Sequence, residues 1–266
     1  MSVALEVDRV RVAFGGLTAV NDVSFTVDSG ELVALIGPNG AGKTAMLNAI
    51  SGIYRPASGD VRLEGKSLRG MAVHHIAVAG IGRAFQHAEL FAGLTVVDNL
   101  MVGRHRQLRS NVFAQAAFFG SYRRREIAQR AVVEDIIDFF ELERYRHRPV
   151  DSLPFGVQKV VGVARALCME PRVLLLDEPS SGLTRQEKED FARFMLRIHH
   201  DRGLPMLWVE HDMQMVMDLA DRLVVLDYGT KIADGTPEEV TQDPAVRLAY
   251  LGIGDEAVPA PRPALT

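Results

Sequence analysis

One cysteine, Cys168, is the entire disulfide-forming capacity of the 266 residues. A disulfide framework is therefore excluded, and the lone thiol reads as a small buried apolar group of a protein in a reducing cytosol. There is no basic excess either. The 30 Lys and Arg against 34 Asp and Glu leave a formal net charge of -4, so no overall positive field draws phosphate backbones and nucleic acid is not expected as the main partner. No run approaches the roughly 18 uninterrupted apolar residues that crossing a bilayer requires. The segment Met1 to Asp8 carries acidic residues early, and neither a signal peptide nor an anchor is read there. A membrane role would then need a separate spanning partner. No repeat of solenoid period occurs.

The patterning that is present is α/β. Leu5, Val7, Val10 and Val12 alternate with polar residues, with a slip near Asp8 and Arg9, and Val23, Phe25 and Val27 alternate again, which predicts strands of an antiparallel sheet. Leu32 to Ile36 is continuously apolar, as for a strand buried on both faces. A helix from about Lys43 to Ser51 follows, then Val61 and Leu63 lead into a tight turn at Glu64-Gly65-Lys66. From about Thr95 to Arg148 helical spacing dominates, as at Ile127, Ala131, Ile136 and Phe140. Thr95 with Asp98 and Thr184 with Glu187 have capping-box spacing. Strands return at Val173 to Leu176, Leu204 to Val209 and Leu223 to Leu226. The tail from Glu256 is proline-rich, and no packed structure is expected of it.

Gly37-Pro38-Asn39-Gly40-Ala41-Gly42-Lys43-Thr44 matches G-x-x-x-x-G-K-[ST] between a buried strand and a helix. Glycines let the backbone curl so that successive N-H groups face a triphosphate, and the helix start adds the positive end of its dipole. Lys43 is suited to the terminal phosphates and the Thr44 hydroxyl to Mg2+, a hard cation that prefers oxygen. The motif predicts nucleotide binding without choosing among ATPases, GTPases and small-molecule kinases. A second strand, Val173 to Leu176, runs into Asp177 and Glu178. Asp177 is placed to hold the metal and Glu178 to polarise a water against the γ-phosphate.

With these residues the sequence resembles the ATP-binding subunits of ABC transporters over about Leu5 to Gly252. Phe14 is similar to the family's adenine-stacking aromatic, with a core aromatic as the alternative reading. Gln86 is similar to the glutamine that touches metal or water at the junction with the helical insertion, and His211 to the histidine that contacts the γ-phosphate and orients the water. Leu153-Pro154-Phe155-Gly156 stands where the family has its signature, which closes over a nucleotide held by the other subunit. The resemblance implies a P-loop NTPase core with an antiparallel β subdomain and an inserted helical subdomain. Expected divisions are 1–88 with 157–236 for the core, 89–156 for the helical subdomain carrying the signature at its end, and 237–266 for a C-terminal helix and flexible tail. ATP and Mg2+ are the implied cofactors. Glu178, His211 and Gln86 are the implied catalytic residues, Thr44, Gln86 and Asp177 the implied metal ligands.

Two departures qualify this. Pro154 replaces the usual signature serine and brings neither hydroxyl nor N-H. Thr184 stands where many relatives have aspartate. Together they suggest pairing with a second, different ATPase subunit, a homodimer being the alternative. Gly80 to Leu100, Asp234-Gly-Thr-Pro237 and Ala249-Tyr-Leu-Gly252 resemble importers of branched-chain and other hydrophobic amino acids. That implies a peripheral subunit on the cytoplasmic face of the inner membrane, docked to permease subunits near Gln86, Leu90, Phe91 and Phe113, with ordinary core packing as the alternative reading of these apolar residues, and with a solute-binding protein engaged only indirectly. Arg123 to Arg125 reads as a solvated helix face. The rival readings are a soluble or regulatory ABC ATPase with weak hydrolysis and a kinase sharing the phosphate loop.

Overall fold

The computed structural model describes residues 2–85, 89–105 and 119–251, with backbone alone at 119–123, 125 and 251. Gln86, Phe113 and the tail from Glu256 lie outside the described residues, as do the side chains of Arg123 and Arg125.

Strands β1 (Val3–Phe14) and β2 (Leu17–Asp28) form a long antiparallel pair, extended by β4 (Ser58–Leu63) and the short β5 (Lys66–Ser67) in the order β2-β1-β4-β5. The slip in the alternation is a bulge. Val7 pairs with Phe25 and Val10 with Val23, so three steps on β1 oppose two on β2, and Arg9 absorbs the extra residue at a φ of 47°. Glu64 and Gly65, at φ values of 48° and 76°, make the turn between β4 and β5. Two successive positive φ values are what tight hairpins of this twist require.

The second sheet has six strands in the order β10-β9-β3-β8-β7-β6. These are β3 (Leu32–Ile36), β6 (Ile81–Ala84), β7 (Val173–Asp177), β8 (Met206–Val209), β9 (Arg222–Asp227) and β10 (Thr230–Gly235), parallel except for β10. Every residue of β3, β7 and β8 is buried, which explains their unbroken apolar runs. Alternate residues of β3 enter different cores. Val33 and Leu35 pack with the antiparallel sheet and α1 (Lys43–Ile50). Leu32, Ala34 and Ile36 belong to the core shared with α3 (Val96–Gly103), α4 (Phe119–Phe139), α5 (Phe155–Leu167) and α6 (Arg185–Arg202). Helix α2 (Val73–Ala79) precedes β6, α7 (Met213–Leu219) follows β8, and α8 (Pro237–Gln242) and α9 (Pro244–Leu251) close the described chain.

The helical insertion is where the sequence spacing expected it, between β6 and α5, but its buried face is phased differently. Ile127 is 58% exposed and Ala131 also faces solvent, while Val133, Ile136, Ile137 and Phe140 are buried. Among the described residues, the part of α4 that joins the core shared with α3 and α5 begins at Val133, and Ile127 and Ala131 are left outside it. Cys168, fully buried at the end of α5, has its thiol pushed up to about 12 by that burial.

Candidate functional site

The carboxyl ends of β3, β7 and β8 open on one edge of the parallel sheet, where such sheets place their ligands. From β3 the chain turns directly into the phosphate loop. Gly42 is the N-cap of α1 in a left-handed conformation (φ 100°), and no side chain caps this helix start. A side chain at Gly42 would collide with the Ala19 carbonyl of β2, so the loop's curl against that strand needs glycine there. Lys43 is 5% exposed, and its ammonium donates to the carbonyls of Gly37 and Pro38 at 2.6 and 3.0 Å. Burial lowers its pKa, and the Glu178 and Asp177 carboxylates oppose that shift. Thr44 is exposed at the loop mouth.

Strand β7 delivers both carboxylates. Asp177 remains buried and ion-pairs with Arg83 of β6 at 2.7 Å, and the same guanidinium bonds the Asn48 amide of α1 and the hydroxyl of its C-cap Ser51, each at 2.8 Å. Glu178 adopts a left-handed φ of 45°, held by its N-H donating to the Val209 carbonyl at 2.9 Å. That turn aims the side chain at the end of β8, where His211 Nε2 meets Glu178 Oε1 at 2.5 Å. The sequence-predicted pair of Glu178 and His211 is thus brought into direct contact. Phe14 is 45% exposed and packs edge-on against Tyr54 at 4.8 Å, so it is a surface aromatic and not a core one.

The segment Leu153 to Gly156 opens α5. Leu153 is buried, Pro154 is the N-cap without any side-chain cap, and Phe155 is half exposed. Gly156 lies within the first turn, against the Glu187 carboxylate; a Cβ there would stand 2.5 Å from Glu187 Oε1. Glu187 is the capping-box residue of α6 and accepts from the Thr184 N-H and hydroxyl at 2.9 and 2.8 Å. Those bonds, with the Gly156 N-H adding to them, hold its carboxyl below the usual range. The Phe155 ring packs on Gly182, so this segment and the loop from Ser181 to Thr184 touch within one chain.

A family model described as ABC transporter matches residues 20–181, and one described as Branched-chain amino acid ATP-binding cassette transporter matches residues 230–256. The chain is 38% identical over 248 residues to the high-affinity branched-chain amino acid transport ATP-binding protein BraF of Pseudomonas aeruginosa, covering 93% of this chain and 97% of the relative. The chain belongs to the ABC transporter family. It is 37% identical over 251 residues to the high-affinity branched-chain amino acid transport ATP-binding protein LivG of Escherichia coli K12, with the same coverage of 93% and 97%. Among solved structures it is similar to the ADP conformation of MJ1267, an ATP-binding cassette of an ABC transporter, with a TM-score of 0.80 and 28% identity over 95% of this chain and 99% of that one. The chain is accordingly a nucleotide-binding ATPase subunit of that family.

For an ABC cassette the donor set suits a magnesium nucleotide. Among the described residues no cluster of three or more His, Cys, Asp or Glu side chains could cage a metal. The Thr44 hydroxyl and Asp177 carboxylate are oxygen donors of the kind Mg2+ takes when phosphates and water complete its shell. Three participants escaped the sequence reading. Arg83 stands in the sequence only as one residue of the stretch Gly80 to Leu100, yet it neutralises Asp177. Glu210, in the same Val-Glu-His-Asp stretch as His211, is 3% exposed. Tyr250 of α9 packs toward the backbone of Gly37, behind the phosphate loop, and burial raises its pKa. No local signal marks Arg83 or Glu210, because sheet order alone brings their partners to them.

Proposed function

We propose that this cassette energises import of branched-chain or related hydrophobic amino acids, paired with a second ATPase subunit on the permease subunits of its transporter. The single observation that carries the solute assignment is likeness to the BraF and LivG proteins along nearly the whole length of both chains. Support for a different second subunit comes from Pro154, which leaves the first turn of α5 without the hydroxyl that a signature serine brings. A neighbouring subunit with an intact signature would complete the site around Lys43 and Glu178. The division into a core (1–88 and 157–236), a helical part (89–156) and a C-terminal part (237–266) fits this scheme, with docking beside Leu90 and the half-exposed Phe91. The likeness to transport ATP-binding proteins supports a peripheral place on the cytoplasmic face of the inner membrane; among the described residues no helix is long and apolar enough to cross a membrane.

In the proposed hydrolysis the adenine stacks on Phe14 and Lys43 exchanges its loop carbonyls for the terminal phosphates. Thr44 and Asp177 would hold Mg2+, which would supply charge neutralisation on the phosphate oxygens. Glu178 accepts a hydrogen bond from the attacking water and aligns it with the γ-phosphorus. His211 orients Glu178 and donates to a γ-phosphate oxygen. Water adds to phosphorus as the bond to the bridging oxygen breaks, leaving ADP and phosphate. Closure around nucleotide and reopening after its cleavage would move the docked membrane helices between access states.

Glu178→Gln in the assembled transporter is expected to lower ATP turnover by about a hundredfold or more while ATP still binds, on the scale of a lost preorganised group. Lys43→Ala loses ATP affinity as well. Uptake of labelled leucine by intact cells should fall with turnover in both variants. Full turnover in Glu178→Gln contradicts the hydrolytic assignment; unchanged leucine uptake beside lost turnover contradicts the solute assignment.

A further inference from the structure

Behind the contact of Glu178 with His211 lies a polar cluster that this hydrolysis scheme leaves unused. Glu210 is 3% exposed and Ser180 is 1% exposed. The Ser180 hydroxyl donates to Glu210 Oε1, a bond that ties the turn after β7 to the end of β8. Ser180 lies two residues after Glu178, and Glu210 immediately precedes His211, so this one bond joins the two segments whose outer side chains meet at 2.5 Å. Glu210 Oε2 is buried too. The Trp208 indole N-H faces the carboxyl and, as a donor to it, opposes the rise of its pKa.

Glu178 needs such a brace. A left-handed conformation in a residue other than glycine persists only where surrounding bonds over-determine it. Here the braces are the Glu178 N-H to Val209, the Ser181 N-H to the Glu178 carbonyl at 3.2 Å, and the Ser180 to Glu210 bond. The first two bind the backbone alone. The third bridges buried side chains of the two segments.

We propose that Glu210 is a positioning residue for hydrolysis: through Ser180 it fixes the turn that holds Glu178, and through the adjoining backbone it keeps His211 against Glu178. The proposal rests on the reading of Glu178 as the group that orients water. The surroundings decide which form of Glu210 does this. Burial, then Asp212 of its own segment and Glu178 at the end of β7, push its carboxyl up to about 8, opposed by Lys188 of α6. Lys188 is itself paired with Asp212 at 2.7 Å. Lys159 of α5, 4% exposed, feels both Glu210 and Glu178. Near neutral pH Glu210 is therefore a neutral acid, and its ionisation puts a third negative charge beside Glu178 and Asp212.

The test is the pH dependence of ATP hydrolysis by the assembled transporter, with kcat and KM separated, between about pH 6.5 and about pH 9. The wild type should lose kcat as pH rises through about 8, with KM for ATP unchanged. Glu210→Gln, a neutral isostere, should keep neutral-pH kcat within about twofold and lose that decline, while Ser180→Ala should lower kcat about tenfold at every pH without changing KM. The same decline in Glu210→Gln, or wild-type kcat in Ser180→Ala, overturns the proposal. Thermal unfolding of the purified full chain gives a second reading. A folded pKa raised above the ordinary 4.5 means that wild-type stability relative to Glu210→Gln falls as pH rises from 4.5 and levels off beyond about 8. A Tm difference that does not grow across that window also overturns it. Glu178→Gln, run alongside, separates the two claims: retained turnover there refutes the reading of Glu178, whereas the Tm comparison still judges Glu210.

Discussion

Arg83 and Asp177 show how much of the site is held by one pair of charges. Both side chains are nearly fully buried, at 7% and 8% exposure, so neither charge has water to fall back on. Breaking a buried pair by removing one partner costs about 3–5 kcal/mol, because the other charge is left uncompensated. Arg83→Met is therefore expected to lower the Tm of the nucleotide-free chain by several degrees. Adding ATP with Mg2+ should recover more Tm in this variant than in the wild type, because the incoming cation offers Asp177 a new counter-charge. Equal ligand-induced shifts in both proteins would argue that Asp177 does not face the metal. The pair also marks a limit of sequence reading. Its residues are 94 positions apart, and Ser180 and Glu210 are 30 apart, so only the adjacency of β6 with β7 and of β7 with β8 brings them together. Glu178 and Lys43, by contrast, were legible because strand, turn and helix signals flank each of them locally.

At the level of elements, local chemistry fixed most boundaries. Both capping boxes form as their spacing predicts, at Thr95 with Asp98 and at Thr184 with Glu187. The buried strands β3 and β7 fall on their apolar runs. The spacing of Ile127, Ala131 and Ile136 marks α4 as a helix but does not say which of them is buried, since periodicity names an apolar stripe and not how far along it the neighbouring helices reach. The start of α5 carries a further consequence. Because Glu187 caps α6 and also fills the space beside Gly156, the two helix starts share one carboxylate. Gly156→Ala pushes that carboxylate away and should uncap α6, costing about 1 kcal/mol, the usual worth of a cap. Glu187→Ala should cost a similar amount, and the double variant less than the sum, since both remove the same contact. Urea unfolding of the four proteins measures this; strict additivity would mean that the two helix starts are independent.

For the whole molecule, the parallel sheet gathers the phosphate loop, Glu178 and His211 on one edge, while α5 presents Pro154 to Gly156 at its own start. In the proposed assembly one surface of this cassette would hold a nucleotide and the start of α5 would face the nucleotide of another subunit. That arrangement, together with the family's role, makes the assembled transporter the functional unit. Its most direct test is co-purification from native membranes, using tagged Glu178→Gln chain with ATP present so that the closed assembly persists. Recovery of two membrane proteins and a second, different ATPase subunit is the predicted result; recovery of no membrane protein, or of nucleic-acid machinery, would contradict the account.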